Sequence, residues 1–248
     1  MLLSSARLER VEPDWPDYLA NLPAVQSLVR QPLRFTQSVT VLVGDNGAGK
    51  STLVEAIAVG MGFNPEGGSR HARFETYALS DQDRSVSPLH YHLVLARRAN
   101  PRDGFFLRGE SYLELADYLQ ALGPGPNPNS RLDRLGQYSH GQGLMLLLEQ
   151  RFHAGGLFIL DEPEDGLTVA NQRIAAEYLA QLAGAGSQII LATHSPVFMA
   201  IPGAQLLEIS AAGIQPTTLE ATEAMSAARE WAADPLGSAY FLTHPEVD

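Results

Sequence analysis

The sequence has no cysteine and one lysine, Lys50; the other sixteen of its seventeen basic residues are arginine. The missing thiols exclude disulfides, thiolate catalysis and cysteine-based metal sites, and make a cytoplasmic address the default expectation. No apolar run approaches the ~18 residues that a membrane span needs. The opening MLLSSARLERVEPDW turns from two leucines straight to charges, so it does not read as a secretory signal. Positive charge is also scarce towards the end: from Asp161 onward twelve acids face only Arg173 and Arg229. With a net charge of −11, the chain offers no broad basic footprint for nucleic acid. The arginines of ARRANPRDGFFLR (96–108) read as a solvated, salt-bridged surface or as a local groove.

What is present fits one domain with a sizeable core: 248 residues, 45% hydrophobic and 18% charged. SVTVLVG (38–44) reads as a buried strand and KSTLVEAIAVGMG (50–62) as the helix after it. A long, less regular region follows, with GPGPNPNS (123–130) as its clearest loop. GQGLMLLLEQRF (141–152) reads as a helix, GLFILDEP (156–163) as a strand and VANQRIAAEYLAQLA (169–183) as a helix. SQIILATHSP (187–196) reads as a strand, AQLLEISAAGIQPTTL (204–219) as a terminal hairpin and TEAMSAAREWAADP (222–235) as a last helix. Alternation of this kind predicts an α/β architecture with a mostly parallel core sheet, a single domain over 1–248 with 64–138 as a lid or inserted subdomain. Functional residues then collect at the carboxyl ends of strands, where Gly44, Asp161 and His194 fall.

GDNGAGKST (44–52) has the spacing of a phosphate-binding loop, Gly44-x-x-x-x-Gly49-Lys50-Ser51. Its glycines free backbone N–H groups to face phosphate, and the helix that starts near Gly49 adds its positive end. Gly44, Asn46, Gly47, Ala48, Gly49, Lys50, Ser51 and Thr52 are the nucleotide-binding candidates. Lys50 reaches the β- and γ-phosphates and the Ser51 hydroxyl ligates Mg²⁺. A compact ammonium threads a narrow backbone-lined slot better than a planar guanidinium, which explains a lone lysine at this position. LFILDEP then offers Asp161 as the second Mg²⁺ ligand and Glu162 as the group that orients or deprotonates the attacking water. YSHGQG (138–143) sets Ser139, Gly141 and Gln142 before a helix; this is an anion site or a plain N-cap with turn glycines.

The order of these motifs, with ATHSP as the last, resembles the ABC-class P-loop ATPases, and the likeness runs over 34–209. Ser139 lies 22 residues before Asp161 and His194 lies 33 after it, as in that class. PRDGFFLRGESY (101–112), and SHGQG in place of SGGQ, point to small soluble ATPases of the RecF and chromosome-maintenance branch rather than to transporter subunits. The resemblance implies ATP and Mg²⁺ as ligands and a homodimer that sandwiches two nucleotides. Ser139, His140, Gly141 and Gln142 of one copy then act in trans, and His194 holds the γ-phosphate. Departures are His140 where the class has glycine, Tyr138 where it has leucine, and EDGLTV at the D-loop. Glu110 is the candidate for the Q-loop position, with Gln82 behind it; Phe35 is an adenine-stacking candidate that also reads as core. The implied function is Mg-dependent ATP hydrolysis that drives a conformational change in an unidentified partner. The alternatives are a transporter's nucleotide-binding subunit and an ATP-binding switch with negligible turnover.

Overall fold

A computed structural model describes residues 1–12, 14–70, 87–101, 103–123, 127 and 129–243. Gln82, and part of the stretch expected as a lid, lie outside the described residues. The strands are β1 (Leu3–Leu8), β2 (Leu33–Arg34), β3 (Val39–Gly44), β4 (Leu93–Arg97), β5 (Gly104–Arg108), β6 (Leu157–Asp161), β7 (Gln188–Ala192), β8 (Gln205–Ser210) and β9 (Gly213–Pro216). The helices are α1 (Asp17–Ala20), α2 (Pro23–Arg30), α3 (Lys50–Gly60), α4 (Leu89–His92), α5 (Tyr112–Ala121), α6 (His140–Arg151), α7 (Val169–Gly184), α8 (Pro196–Met199), α9 (Glu223–Ala233) and α10 (Pro235–Thr243).

The main sheet has the order β5-β6-β7-β3-β8-β9. Its first five strands run parallel and β9 closes the edge antiparallel to β8. A smaller antiparallel sheet, β2-β1-β4, lies apart from it. The apolar runs of β3, β6 and β7 follow from burial on both faces. Val39, Val41 and Val43 enter one core cluster with Phe158, Leu160 and Leu191, while Leu42, Ile159 and Ile190 point into the other. The first cluster is completed by α5, α6 and α7, the second by α2 and α3. The α/β class and the parallel core are therefore as the sequence predicts.

Three expectations need correction. The stretch 187–196 is a strand only as far as Ala192, because the N–H groups of His194 and Ser195 bond a side chain instead of a neighbouring strand. The hairpin expected at 204–219 forms as β8 and β9, but it is more than a terminal addition: β8 pairs in parallel with β3 from Thr40↔Gln205 to Gly44↔Ile209 and so extends the main sheet. The helix at 223–233 is not the last, since α10 follows it. The stretch 64–138 contributes β4 to the small sheet and β5 to the edge of the main one. Among the described residues no helix is long and apolar enough to cross a membrane.

One buried side chain joins the two sheets. The Gln188 amide accepts from the N–H groups of Leu2 (2.7 Å) and Leu3 (2.8 Å) and donates to the Leu3 carbonyl (2.8 Å). It completes the backbone hydrogen bonding of the first strand where no neighbouring strand does.

Candidate active site

The loop after β3 is fixed by close backbone approach. Gly44 has φ 137°, and a Cβ there would stand 2.2 Å from the Ile209 carbonyl oxygen of β8, so only glycine fits. Gly47 (φ 79°) and Gly49 (φ 94°) turn the chain into α3, whose N-cap is Gly49 and carries no side-chain cap. The Ala24 N–H bonds the Ala48 carbonyl at 3.3 Å and so braces the loop from α2. Asp45, Asn46 and Gly47 stand exposed at the mouth, Ala48, Gly49 and Lys50 are buried, and Ser51 and Thr52 are half-buried.

Lys50 is 4% exposed. Its Nζ donates to the carbonyls of Gly44 (2.8 Å) and Asp45 (3.1 Å), which leaves one proton of the ammonium for another acceptor. Burial lowers its pKa, and Glu162, Asp161 and Asp45 pull the other way.

Asp161 ends β6 between Arg108 of β5 and Ala192 of β7 in register. Its carbonyl accepts the Gly109 N–H at 2.9 Å. The side chain is buried, and Oδ1 has no hydrogen-bond partner. Burial pushes its pKa up to about 7, while the Ser51 hydroxyl and the Arg108 charge hold the rise back. An orphaned carboxylate oxygen opposite a hydroxyl is costly unless a cation completes it. Two such oxygens fit Mg²⁺, which takes one or two protein oxygens and fills its octahedron with phosphate and water. Among the described residues no group of three or more His, Cys, Asp or Glu makes a metal cage of its own, so the donor set suits a metal that arrives with a phosphate.

Glu162 is the one non-glycine residue with positive φ (49°) among those described. Such a backbone costs on the order of 1 kcal/mol or more and is held only where its surroundings fix it. Here the Glu162 N–H bonds the Ala192 carbonyl (3.0 Å) and its own carbonyl accepts the Asp165 N–H (3.2 Å). The strained turn lifts the carboxylate beside His194, with Nε2 to Oε1 at 3.8 Å and both side chains more than a third exposed. That spacing is too long for a hydrogen bond, and His194 Nε2 has no hydrogen-bond partner.

The turn at 138–143 has the N-cap geometry. The Gln142 N–H donates to Ser139 Oγ at 3.4 Å, and Gln142 Oε1 accepts the Ser139 N–H at 3.2 Å, a reciprocal capping box at the start of α6. Ser139 and Gln142 are exposed. His140 departs from expectation: its ring turns inward and stacks on Tyr112 of the same chain, 4.4 Å between centroids, instead of facing outward. Gly141 is buried because the chain passes close here; a Cβ would meet the Gly166 carbonyl oxygen at 2.5 Å. Gly166 in turn packs on the His140 ring.

Glu110 lies two residues past β5 with its side chain 68% exposed, and it pairs with Arg108. It acts on Asp161 only through its charge. Arg108 itself turns inward onto Glu55 of α3 (3.1 Å), so it is not part of an open basic groove. Phe35 is 3% exposed within the core, which settles its reading as packing.

Glu164 was not legible as a site residue. Its carboxylate accepts the Thr193 hydroxyl (2.7 Å) and the N–H groups of His194 (2.6 Å) and Ser195 (3.1 Å). An acid after Asp-Glu-Pro reads as one more exposed charge; only the return of β7 beside β6 brings its three partners within reach.

A family model described as "AAA domain" matches residues 24–105, and one described as "AAA domain, putative AbiEii toxin, Type IV TA system" matches 142–200. A xylose import ATP-binding protein of Moorella thermoacetica is 25% identical over 69% of this chain and 37% of its own length. A vitamin B12 import ATP-binding protein of Citrobacter koseri is 28% identical over 62% of this chain and 65% of its own. The chain thus spans less than two thirds of either relative. The head domain of a Thermotoga maritima SMC protein superposes with a TM-score of 0.45 at 16% identity, covering 88% of this chain and 99% of that one. The chain resembles AAA/ABC-type P-loop ATPase domains, and the two matched stretches contain the Asp161 and His194 loops and the Lys50 loop.

Proposed function

We propose that the protein binds ATP with Mg²⁺ and hydrolyses it at the interface of an ATP-induced head-to-tail homodimer, and that this cycle drives a conformational change in a partner. The observation that carries the reading is the convergence of three strand ends. Lys50 holds one unused proton, Asp161 acts on it through its charge and keeps a buried oxygen without a partner, and Glu162 stands 3.8 Å from His194.

In this reading the α3 N-terminus and Lys50 bind the β- and γ-phosphates. Ser51 and Asp161 hold Mg²⁺, which when bound neutralises charge on the phosphate oxygens. Glu162 orients the attacking water and takes its proton on a carboxylate oxygen, and His194 donates from its imidazole to the γ-phosphate. Ser139, Gly141 and Gln142 complete the site of the second copy. For that, the capping box need only offer its exposed Ser139 hydroxyl and the free N–H groups of the α6 terminus. His140 supports the turn from within its own chain. The stretch 64–138, which leads from the end of α3 to that turn, is the lid in this scheme.

The relatives' names favour a second reading, the nucleotide-binding subunit of an importer, since both are import ATP-binding proteins. In that case ATP turnover rises only with a permease bound. The deciding experiment is the solution mass of Glu162→Gln by size exclusion with light scattering, with and without MgATP. Dimer only with MgATP is the expected result. A constant monomer mass with ATP bound rules out the self-sandwich and favours the subunit reading. Single-turnover hydrolysis by the wild-type protein separates an enzyme from a binding-only switch.

A further inference from the structure

We infer that Glu164 is the positioning residue for His194: it fixes the turn that carries the imidazole and so sets the distance between His194 and Glu162. The inference rests on the ATPase reading above and deepens it. Three donors on three consecutive residues, Thr193 Oγ1, His194 N and Ser195 N, converge on this one carboxylate at 2.7, 2.6 and 3.1 Å. Charge-assisted bonds of this kind are roughly twice as strong as neutral ones.

The start of α8 does not need Glu164. Ser195 Oγ caps that helix by accepting the Val197 N–H (3.1 Å), and it donates to Gln172 Oε1 (2.7 Å). Glu164 acts one step earlier, on Thr193 and His194. It takes the His194 N–H just where the β6–β7 pairing ends at Asp161↔Ala192, so it decides the direction in which the chain leaves the sheet. Glu164 is itself held rigidly. The Asp165 N–H bonds the Glu162 carbonyl (3.2 Å) and the Leu167 N–H bonds the Glu164 carbonyl (2.9 Å). Glu162 and the anchor of His194 thus belong to one short turn, and the two groups proposed to act on the γ-phosphate and the water share a frame. Glu164 has no such contact itself; its oxygens are occupied by the 193–195 turn.

The test is a double-mutant cycle with Glu164→Ala, His194→Ala and the pair, with Glu164→Gln as the conservative variant. Glu164→Ala is expected to lower kcat by about 10- to 100-fold, with ATP affinity, measured by titration calorimetry, changed by less than about threefold. Glu164→Gln keeps a carbonyl acceptor for both backbone N–H groups and should restore most of kcat. The pair should turn over no more slowly than His194→Ala alone. An unchanged kcat in Glu164→Ala, or losses that multiply in the pair, would overturn the inference. Should the wild-type protein bind ATP without turnover, the ATPase reading fails separately, and amide exchange at His194 decides the clamp, since the Ser195 N–H also bonds Thr193 Oγ1 (2.9 Å). Lost protection in Glu164→Ala supports it; retained protection overturns it. If Glu164→Ala does not fold, Thr193→Val, which removes one of the three bonds, runs the same cycle with a smaller expected effect.

Discussion

Two loops at the same end of the sheet are built in opposite ways. The loop from Gly44 to Ser51 is held mainly from within: Lys50 bonds the carbonyls of Gly44 and Asp45, six and five residues back. The turn from Thr193 to Ser195 is organised from outside, by Glu164, 29 to 31 residues away in sequence. The first draws from outside only the brace of α2 and the close approach of Ile209 at Gly44. The second exists only once β6 and β7 have paired. Local spacing therefore reveals the glycine loop around Lys50, while the turn at 193–195 shows in sequence only His194 and not its support.

The largest expected effect breaks the local half. Lys50→Arg keeps the charge but replaces a slim ammonium in a slot 4% exposed. ATP affinity should fall by about 100-fold, from lost charge-assisted bonds and forced repacking, as read by calorimetry. Retained affinity would mean that the loop tolerates a guanidinium and that the lone lysine has another cause.

A second prediction concerns Asp161, which stands between the halves. Its folded pKa is about 7 against a reference of 3.8. Between those values the native state keeps a proton that the unfolded chain has released, so stability falls as pH rises through that window, and the full cost is present above it. The cost is at most on the order of 4 kcal/mol. In EDTA, Asp161→Asn should flatten this fall and melt above the wild-type protein at pH 8, with little difference at pH 4. Parallel pH profiles for the two proteins would contradict the burial argument.

The smallest effect sharpens the long-range half at the turn that starts α6. A Cβ at Gly143 would stand 1.7 Å from the Tyr112 hydroxyl oxygen, which is buried without a partner. Gly143→Ala should cost about 1–3 kcal/mol in denaturant melts. Tyr112→Phe should be neutral or slightly stabilising, because it removes an unsatisfied polar atom. It should also recover part of the Gly143→Ala loss, though not all, since the ring carbon beneath lies at 2.9 Å. Additive losses would show that the turn relaxes away from Tyr112.

Legibility followed the range of the contacts. The Asp161 and Glu162 pair was readable only because the strand that ends in them shares the chain with a phosphate-loop pattern; the strain at Glu162 was not, since nothing local to Asp-Glu-Pro demands a φ of 49°. Ser139 could be read both as an N-cap and as an anion donor, and the capping box shows the first directly. The inward turn of His140 was not legible because the sequence gives no hint that Tyr112, 28 residues earlier, would offer its face. The small sheet of β1, β2 and β4 and the Gln188 bridge went unread for the same reason: their partners lie far apart in the chain.

The sequence by itself determined the glycine-rich loop around Lys50, the strand that ends at Asp161 and the parallel sheet buried on both faces. Each of these is a pattern of neighbours, set by glycine conformation, residue period and helix-end electrostatics. Only the tertiary structure decided that Glu164 anchors His194, that His140 turns inward and that Asp161 is left with an unpaired oxygen. Those outcomes depend on which distant groups arrive beside a buried charge or ring, and burial makes every unmatched polar atom there expensive.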